Sequence, residues 1–219
     1  MTTATTARRA TIIHGYGATP QDHWFGRLAE ELGASGIPAA VPALPEPADP
    51  DPGQWAEAVH AAVGVPDGSS FVVAHSLGCL AVLRHLRSLS GPWRLGTLVL
   101  VSGFVDRLPA LPRLDPFVGD GCDLEGLGDR VDRLLVLRSD ADPYVPPGHT
   151  DRLAALLGTC AEVIPGAGHF LASDGVTSLP WALAAVAAVS SPGEHGGGAR
   201  SLRRDGTGKG EGEGGVAAV

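Results

Sequence analysis

A serine, an aspartate and a histidine each follow a separate apolar segment of the 219-residue chain. Ser76 follows the run FVVAH, Asp142 follows RLLVLRSDA, and His169 follows the short run EVI and the glycine-rich stretch PGAG. A serine hydroxyl is a weak nucleophile unless a base removes its proton and a third group orients that base. We therefore predict that Ser76 is a nucleophile, His169 its base and Asp142 the acid that orients the imidazole.

The pentapeptide AHSLG at residues 74–78 matches the turn G-x-S-x-G, except that Ala74 replaces the first glycine. Small residues flank the serine of such a turn because its backbone is strained and the following helix must approach the strand closely. Serine is also a favoured helix N-cap, so the pentapeptide alone is compatible with a structural helix start. The chain order of serine, aspartate and histidine is that of the α/β-hydrolases, and it favours the catalytic interpretation.

Neighbouring residues leave alternatives open. The sequence DADP is also typical of a turn, so a purely structural role is the alternative for Asp142, and Asp140 is a rival for the catalytic role. His14, His23 and His75 are expected near the same site, which raises the question of a metal centre. Neither an HExxH motif nor a cluster of carboxylates accompanies these histidines in the sequence. We therefore predict neither a metal nor another cofactor.

An acyl transfer site also needs hydrogen-bond donors for the negative charge that develops on the carbonyl oxygen. We predict that the backbone N–H of Leu77, directly after the serine, is one donor. The second donor is expected in the loop HGYG, with Tyr16 as the first choice and Gly17 as the alternative.

The substrate pocket is predicted from residues near these strand ends. Residues 104–128 are expected to be irregular and too short for a lid of several helices. We predict that Phe104 and Phe117 of this stretch, together with His14, belong to the pocket, and Leu108, Leu111 and Leu114 are expected near it. Ordinary core packing explains most of these apolar residues equally well.

Apolar segments alternate with amphipathic helical segments along most of the chain. Strands are predicted in ATIIHG, IPAAVPAL, SSFVVAH, LGTLVLVSG, DRLLVLRS and CAEVIPG, and helices in PQDHWFGRLAEELGASG, DPGQWAEAVHAAVG, LGCLAVLRHLRSLS, PGHTDRLAALLG and VTSLPWALAAVAAV. The predicted fold class is α/β: an open, doubly wound, mostly parallel sheet of about six strands with helices on both faces. Ligands bind at the carboxyl ends of the strands in such sheets.

Composition divides the chain near residue 190. Residues 8–190 are predicted to form one α/β domain, which is long enough to bury a substantial core. Residues 191–219 are rich in glycine and in charges of both signs, and they contain almost no large apolar residues. Such a segment cannot bury enough apolar surface to offset the entropy lost on ordering, so we predict a disordered tail.

Charge and hydropathy bear on partners and location. The formal net charge is −8, and an acidic surface repels nucleic acid phosphates and anionic lipid headgroups. We therefore expect neither a nucleic acid nor a membrane partner, and a protein partner has no support in the sequence. The apolar runs are too short for a signal peptide or a membrane span, which favours the cytoplasm. The three cysteines lie far apart and in no CxxC spacing, which argues against disulfides and a zinc cluster.

The chain resembles the α/β-hydrolase superfamily and, within it, the small YdeN-like serine hydrolases related to retinoblastoma-binding protein 9. The matching segments are IIHGYGATPQDHWFGRLAEEL at 12–32, VPALPEPADPDPGQWAEAV at 41–59, VVAHSLG at 72–78, SDADPYVP at 139–146 and GAGHF at 166–170. The resemblance implies a compact hydrolase with a minimal cap and a catalytic triad at Ser76, Asp142 and His169.

These observations together predict a serine hydrolase of the carboxylesterase type that cleaves small esters through an acyl-enzyme on Ser76. A thioesterase or a peptidase with the same triad is the nearest alternative. A protein-binding module without catalysis is the alternative from another class, since a fold does not determine function. The complete set of three residues favours an enzyme, because a binding module does not need an activated serine.

Overall fold

One parallel sheet of six strands lies at the centre of the protein. The computed structural model describes residues 7–187. The strands in chain order are β1 (Arg9–Ile13), β2 (Ala39–Ala40), β3 (Ser70–His75), β4 (Leu95–Val101), β5 (Val131–Ser139) and β6 (Glu162–Ile164). They lie side by side in the order β2, β1, β3, β4, β5, β6, and every neighbouring pair is parallel. The predicted open parallel sheet of about six strands is confirmed.

Helices cover both faces of this sheet. They are α1 (Phe25–Ala34), α2 (Pro52–Val63), α3 (Leu77–Ser88), α4 (Asp115–Val118), α5 (Pro147–Leu156) and α6 (Pro180–Ala187). Residues of α2, α3 and α5 belong to one cluster of buried apolar side chains, and residues of α1 and α6 belong to a second cluster. The two clusters use opposite faces of the sheet, which makes the fold doubly wound.

The two central strands explain the strongest signal in the sequence. Every residue of β3 and every residue of β4 is buried. Strands that are covered on both faces are continuously apolar rather than alternating, because each side chain meets a helix layer. FVVA and LVLV are therefore the expected sequences of central strands.

Helix α1 begins later than the sequence predicts. The predicted segment starts at Pro20, but the first helical residue is Phe25. Phe25, Leu28 and Leu32 recur at helical spacing and are buried against the sheet. Asp22 instead forms a turn in which its carboxylate accepts the N–H of Thr19 at 2.7 Å. This turn places the next residues of the chain at the carboxyl edge of the sheet.

The chain reverses its direction across the sheet at β1, since β2 and β3 lie on opposite sides of that strand. A reversal of this kind leaves a crevice at the carboxyl ends of the two strands that flank it. Gly15 follows β1 and Ser76 follows β3 within two residues. The topology therefore brings the loop HGYG and the serine to one crevice.

The stretch between β4 and β5, here called the β4–β5 segment (residues 104–128), contains a short 3₁₀ turn at Pro112–Leu114 and α4, and a second 3₁₀ turn, Gly128–Arg130, begins at its end. The guanidinium of Arg84 on α3 holds it in place. Its N–H groups donate to the carbonyl oxygens of Phe117 at 2.7 Å, Val118 at 2.6 Å and Gly121 at 3.1 Å. The segment is therefore an ordered wall and not a lid of several helices.

Part of the predicted domain organisation lies outside the described residues, namely residues 188–190 and the predicted tail at 191–219. Within residues 7–187, no helix combines the length and the hydropathy that a membrane crossing requires.

Candidate active site

Ser76 occupies the sharp turn between β3 and α3. Its φ of 52° and ψ of −123° lie outside the common regions for a residue with a side chain. The backbone N–H of Ser76 donates to the carbonyl of Val101 on β4 at 2.8 Å, which holds the turn in this conformation. Backbone strain of this kind is concentrated at functional sites, where the surrounding structure determines it.

Two glycines allow this turn to fit against the end of β1. A Cβ at Gly78 would lie 2.4 Å from the carbonyl oxygen of His14, and a Cβ at Gly15 would lie 2.9 Å from the Cβ of Ser76. Neither distance is possible without a shift of the backbone. Ala74, in contrast, lies within β3 and is fully buried there, so the methyl group at this position is accommodated.

The structure brings Ser76, His169 and Asp142 together. The Nδ1–H of His169 donates to the Oδ2 of Asp142 at 2.8 Å, and its Nε2 accepts from the hydroxyl of Ser76 at 3.0 Å. The imidazole and the carboxylate side chains are 8% and 2% exposed. This chain of hydrogen bonds links the serine proton to a base and the base to a carboxylate.

The charge of Asp142 is stabilised in place. Burial acts most strongly on its pKa and raises it, but the hydrogen bond and the charge interaction with His169 lower it, and so do the N–H groups of Tyr144 and Val145. Both N–H groups donate to Oδ1 at 2.9 Å. The net effect is a lowered pKa, so Asp142 is a carboxylate at neutral pH. The rival Asp140 instead accepts the N–H of Gly166 at 2.7 Å.

The loop that carries His169 is held by three side chains that the sequence analysis did not assign. The Nε2–H of His75 donates to the carbonyl of His169 at 2.9 Å, and the indole N–H of Trp24 donates to the carbonyl of Phe170 at 3.1 Å. The carboxylate of Asp174 accepts the N–H of His169 at 2.7 Å. Trp24 and His75 lie in two of the segments that carry the family resemblance, at 12–32 and 72–78, and this was the signal available in the sequence. Nothing in the sequence singled out Asp174.

His75 is neutral because it is buried. Burial is the main reason why its pKa lies well below the ordinary value, and the neighbouring His169 lowers it further. Its Nδ1 has no hydrogen-bond partner among the described residues. His75 therefore acts through the backbone of His169 and not as a second base.

Among the described residues, the N–H groups of the expected oxyanion donors Tyr16 and Leu77 have no acceptor, whereas the N–H of the alternative, Gly17, already has one. The N–H of Gly17 donates to the carbonyl of Pro47 at 2.7 Å. Within residues 7–187, no acceptor takes the N–H of Tyr16, and Leu77 is the first residue of α3, whose leading N–H groups have no helical partner. The geometry therefore favours Tyr16 over Gly17.

A cavity of about 270 Å³ opens beside the serine and the histidine. Its lining residues are Tyr16, Gly17, Ala18, His23, His75, Ser76, Leu111, Tyr144, His169 and Leu171. Tyr16, Ala18 and Leu111 come from the loop after β1 and from the β4–β5 segment, while Tyr144 and Leu171 come from the loops that carry the aspartate and the histidine. The cavity is therefore built from four loops at the carboxyl edge of the sheet.

The three residues predicted for the substrate pocket lie elsewhere, and this prediction is corrected. His14 is fully buried, and its Nε2 accepts the N–H of Leu44 at 3.0 Å. Phe104 is fully buried in the core, and the ring of Phe117 packs 5.2 Å from the ring of Trp55. The β4–β5 segment turns its aromatic side chains inward because burial of a phenylalanine is favourable, and it presents Leu111 to the cavity.

His23 lines the cavity with a defined proton position. Its Nδ1 accepts the N–H of Ala172 at 3.2 Å, so the ring proton of the neutral form is on Nε2. Burial lowers the pKa of His23. In the part of the chain that the structure describes, no group of three or more His, Cys, Asp or Glu side chains is arranged to hold a metal ion.

Known proteins are similar to this chain in sequence and in fold. A family model described as serine hydrolase matches residues 10–188. The chain belongs to this serine hydrolase family. YdeN of Bacillus subtilis (strain 168) is 35% identical to this serine hydrolase over 173 residues, which cover 79% of this chain and 91% of YdeN. The predicted membership of the YdeN-like serine hydrolases is therefore confirmed.

Solved structures agree with the fold of this serine hydrolase. The crystal structure of the ydeN gene product from B. subtilis matches with a TM-score of 0.80 and 33% identity, over 84% of this chain and 100% of that chain. Est1E from Butyrivibrio proteoclasticus matches with a TM-score of 0.59 and 16% identity, over 84% of this chain and 90% of that chain. The second similarity concerns the fold alone.

Proposed function

We propose that this serine hydrolase cleaves small carboxylic esters through an acyl-enzyme formed on Ser76. The observation that carries the proposal is the continuous hydrogen-bond chain from the Ser76 hydroxyl through His169 to Asp142, at 3.0 Å and 2.8 Å. Ser76 and His169 both line an open cavity, where a carbonyl carbon can reach the serine oxygen.

In the first half of the reaction, the Oγ of Ser76 attacks the carbonyl carbon while its proton moves to Nε2 of His169. The resulting imidazolium is stabilised by the carboxylate of Asp142, which is ionised at neutral pH because its pKa is lowered. The N–H groups of Tyr16 and Leu77 donate hydrogen bonds to the former carbonyl oxygen and stabilise its negative charge.

Collapse of this tetrahedral intermediate breaks the bond to the alcohol, which leaves with the proton from Nε2 of His169. Water then enters, gives a proton to Nε2 of His169 and attacks the acyl carbon. Collapse of this second intermediate breaks the bond to Oγ of Ser76, which takes the proton back from His169, and the acid is released. His75 and Asp174 contribute by holding the backbone carbonyl and the backbone N–H of His169, respectively, which keeps the imidazole in position.

The dimensions of the cavity support small substrates. A volume of about 270 Å³ lies at the lower limit of ordinary ligand sites, and Ala18, Leu111 and Leu171 supply apolar contact to a short acyl or alcohol group. An ester is favoured over an amide because an alcohol is the better leaving group and needs less assistance from the acid.

Labelling with a fluorophosphonate probe tests the proposal, and the chain provides a matched control serine. Ser102 follows β4 as Ser76 follows β3, is fully buried and also has a positive φ, of 47°. We expect the probe to label the wild type and Ser102→Ala but not Ser76→Ala. We also expect kcat for p-nitrophenyl acetate to fall by about 10⁴-fold or more in Ser76→Ala alone.

Comparison of matched substrates separates the alternatives within the enzyme class. Rates for an oxyester, a thioester and an amide with the same acetyl group would identify a thioesterase or a peptidase if either of the latter two exceeded the ester. A folded wild type that neither takes the label nor hydrolyses any of the three would contradict the proposal and leave the protein-binding module.

A further inference from the structure

An arginine side chain lies beside the active-site cavity. Arg113 belongs to the 3₁₀ turn Pro112–Leu114, two residues after Leu111, which lines the cavity. Its guanidinium is exposed, and Nη1–H donates to the hydroxyl oxygen of Tyr16 at 3.0 Å. Because Tyr16 also lines the cavity, this hydrogen bond holds a positive charge at the rim.

The charge of Arg113 has no acidic partner among residues 7–187. Six other arginines of this acidic protein lie within ion-pair distance of a carboxylate, namely Arg9, Arg27, Arg87, Arg94, Arg138 and Arg152. The only side chain that the described residues offer to Arg113 is the phenol of Tyr16. The residues that line the cavity include no aspartate and no glutamate.

We propose that Arg113 and the hydroxyl of Tyr16 bind a carboxylate of the substrate, so that the preferred ester carries a second, ionised acid group. The inference rests on the proposed function and specifies its substrate class. A guanidinium has five N–H donors, and the hydrogen bond to Tyr16 uses one of them. The remaining donors suit the paired hydrogen bonds that arginine forms with carboxylates. The Tyr16 oxygen accepts from Arg113, so its own proton remains for the same carboxylate.

The position of Tyr16 connects this anion site to the reaction. Its backbone N–H is the proposed oxyanion donor, and its side chain ends at Arg113. One residue therefore spans from the reacting carbonyl oxygen to the bound carboxylate. The two groups of the substrate should be separated by about the length of a tyrosine side chain, on either the acyl or the alcohol side of the ester.

A purely structural role for the same hydrogen bond makes a different prediction. If it only attached the β4–β5 segment to the loop after β1, its loss would reduce the hydrolysis of every ester equally and lower the melting temperature. A binding role changes the preference between a charged and a neutral ester, and salt weakens that preference by screening.

Two substrate pairs that differ in one charge provide the test. The acyl pair is p-nitrophenyl hexanoate and the p-nitrophenyl monoester of adipic acid, and the alcohol pair is the acetyl esters of 4-hydroxybenzamide and 4-hydroxybenzoate. The readout is the ratio of kcat/KM for the charged to the neutral member of each pair. We compare the wild type with Arg113→Gln, Arg113→Glu and Tyr16→Phe.

Arg94→Gln is the matched control, because it removes the same charge at the opposite end of the sheet, where Arg94 precedes β4 and pairs with Asp132. We expect the ratio for at least one pair to fall about twofold to fivefold in Arg113→Gln, within the range of an exposed charge contact. The fall should be larger in Arg113→Glu, smaller in Tyr16→Phe and absent in Arg94→Gln. Added salt should reduce the wild-type ratio and leave that of Arg113→Gln nearly constant.

Equal ratios in the wild type and Arg113→Glu for both pairs would overturn the anion site, while hydrolysis of the neutral esters would still support the proposed function. If the wild type hydrolyses none of the four esters, the proposed function is contradicted instead. Calorimetric titration of Ser76→Ala with adipate then tests Arg113 without turnover. Binding that Arg113→Gln abolishes in this background would support the site, and no binding would overturn it.

Discussion

Two serines follow neighbouring strands of the sheet, and only one of them is placed for chemistry. Ser76 after β3 and Ser102 after β4 are both buried, both have a positive φ and both precede a small or apolar residue. The hydroxyl of Ser76 meets His169 at 3.0 Å, whereas the hydroxyl of Ser102 has no partner among the described residues. A strained serine at a strand end is thus insufficient for a nucleophile.

The surroundings of the two strand ends explain the difference. Helix α5 covers the end of β4, where the hydroxyl of Thr150 donates to the carbonyl of Gly103 at 2.8 Å. The end of β3 instead faces the crevice at the chain reversal, so the loop of His169 and a cavity reach it. Access and a base therefore distinguish Ser76 from Ser102, and both come from distant parts of the chain.

The largest effect on this comparison is expected from Asp142→Asn, which should make Ser76 nearly as inert as Ser102. An amide in place of the carboxylate donates to Nδ1 of His169 and leaves the proton on the wrong nitrogen. We expect kcat for p-nitrophenyl acetate to fall by about 10⁴-fold, equivalent to about 5.5 kcal/mol of transition-state stabilisation.

Asp140→Asn is the matched control for this variant, because the amide oxygen can still accept the N–H of Gly166. Its kcat should stay within about threefold of the wild type, in keeping with a surface substitution. A loss of activity in Asp140→Asn as large as that in Asp142→Asn would show that the hydrogen bond between His169 and Asp142 does not decide the reactivity of Ser76.

A second comparison uses the glycines beside the two serines. In Gly78→Ala the new methyl group would meet the backbone oxygen of His14 at 2.4 Å, but in Gly103→Ala it would meet the terminal Cδ2 of the Leu153 side chain at 2.8 Å. We expect the free energy of unfolding to fall by about 3 kcal/mol in Gly78→Ala and by about 1 kcal/mol in Gly103→Ala. Urea denaturation measures both values, and equal losses would contradict the special geometry of the β3 turn.

The smallest effect concerns the buried His75, which supports the loop of His169. Burial lowers the pKa of His75, and in a lesser degree those of His14, His23 and His85. Below about pH 6.5 the unfolded chain binds protons that the folded protein excludes, so stability falls as the pH decreases, by up to about 1.4 kcal/mol per pH unit for each histidine.

His75→Gln should reduce this slope, because the glutamine amide can still donate to the carbonyl of His169 but does not titrate. Denaturant unfolding at pH 7, 6 and 5 measures the slope, and the exposed His60 provides the control variant His60→Gln. An unchanged slope in His75→Gln would mean that His75 does not supply the acid sensitivity.

Much of the fold could be predicted because its signals are local. Continuous apolar runs such as FVVA indicate strands covered on both faces, and amphipathic segments between them require crossover helices. One error is the short helix α4, which was not predicted. The others are at element ends: α1 begins at Phe25 rather than Pro20, and β2 is reduced to Ala39–Ala40. These ends depend on turn hydrogen bonds and on pairing at the sheet edge, which a single segment does not contain.

The amino-acid sequence alone was sufficient for the strand and helix order and for the candidates Ser76, Asp142 and His169, because spacing and chain order restrict which residues can meet at one sheet edge. Only the tertiary structure could choose between Asp140 and Asp142 and between Tyr16 and Gly17, since each choice depends on a hydrogen bond to a residue far away in the chain. For the same reason, only the structure could show that Phe104 and Phe117 lie in the core and that Arg113 lies beside the cavity. Which groups a side chain meets is decided by packing, and packing is a property of the whole fold.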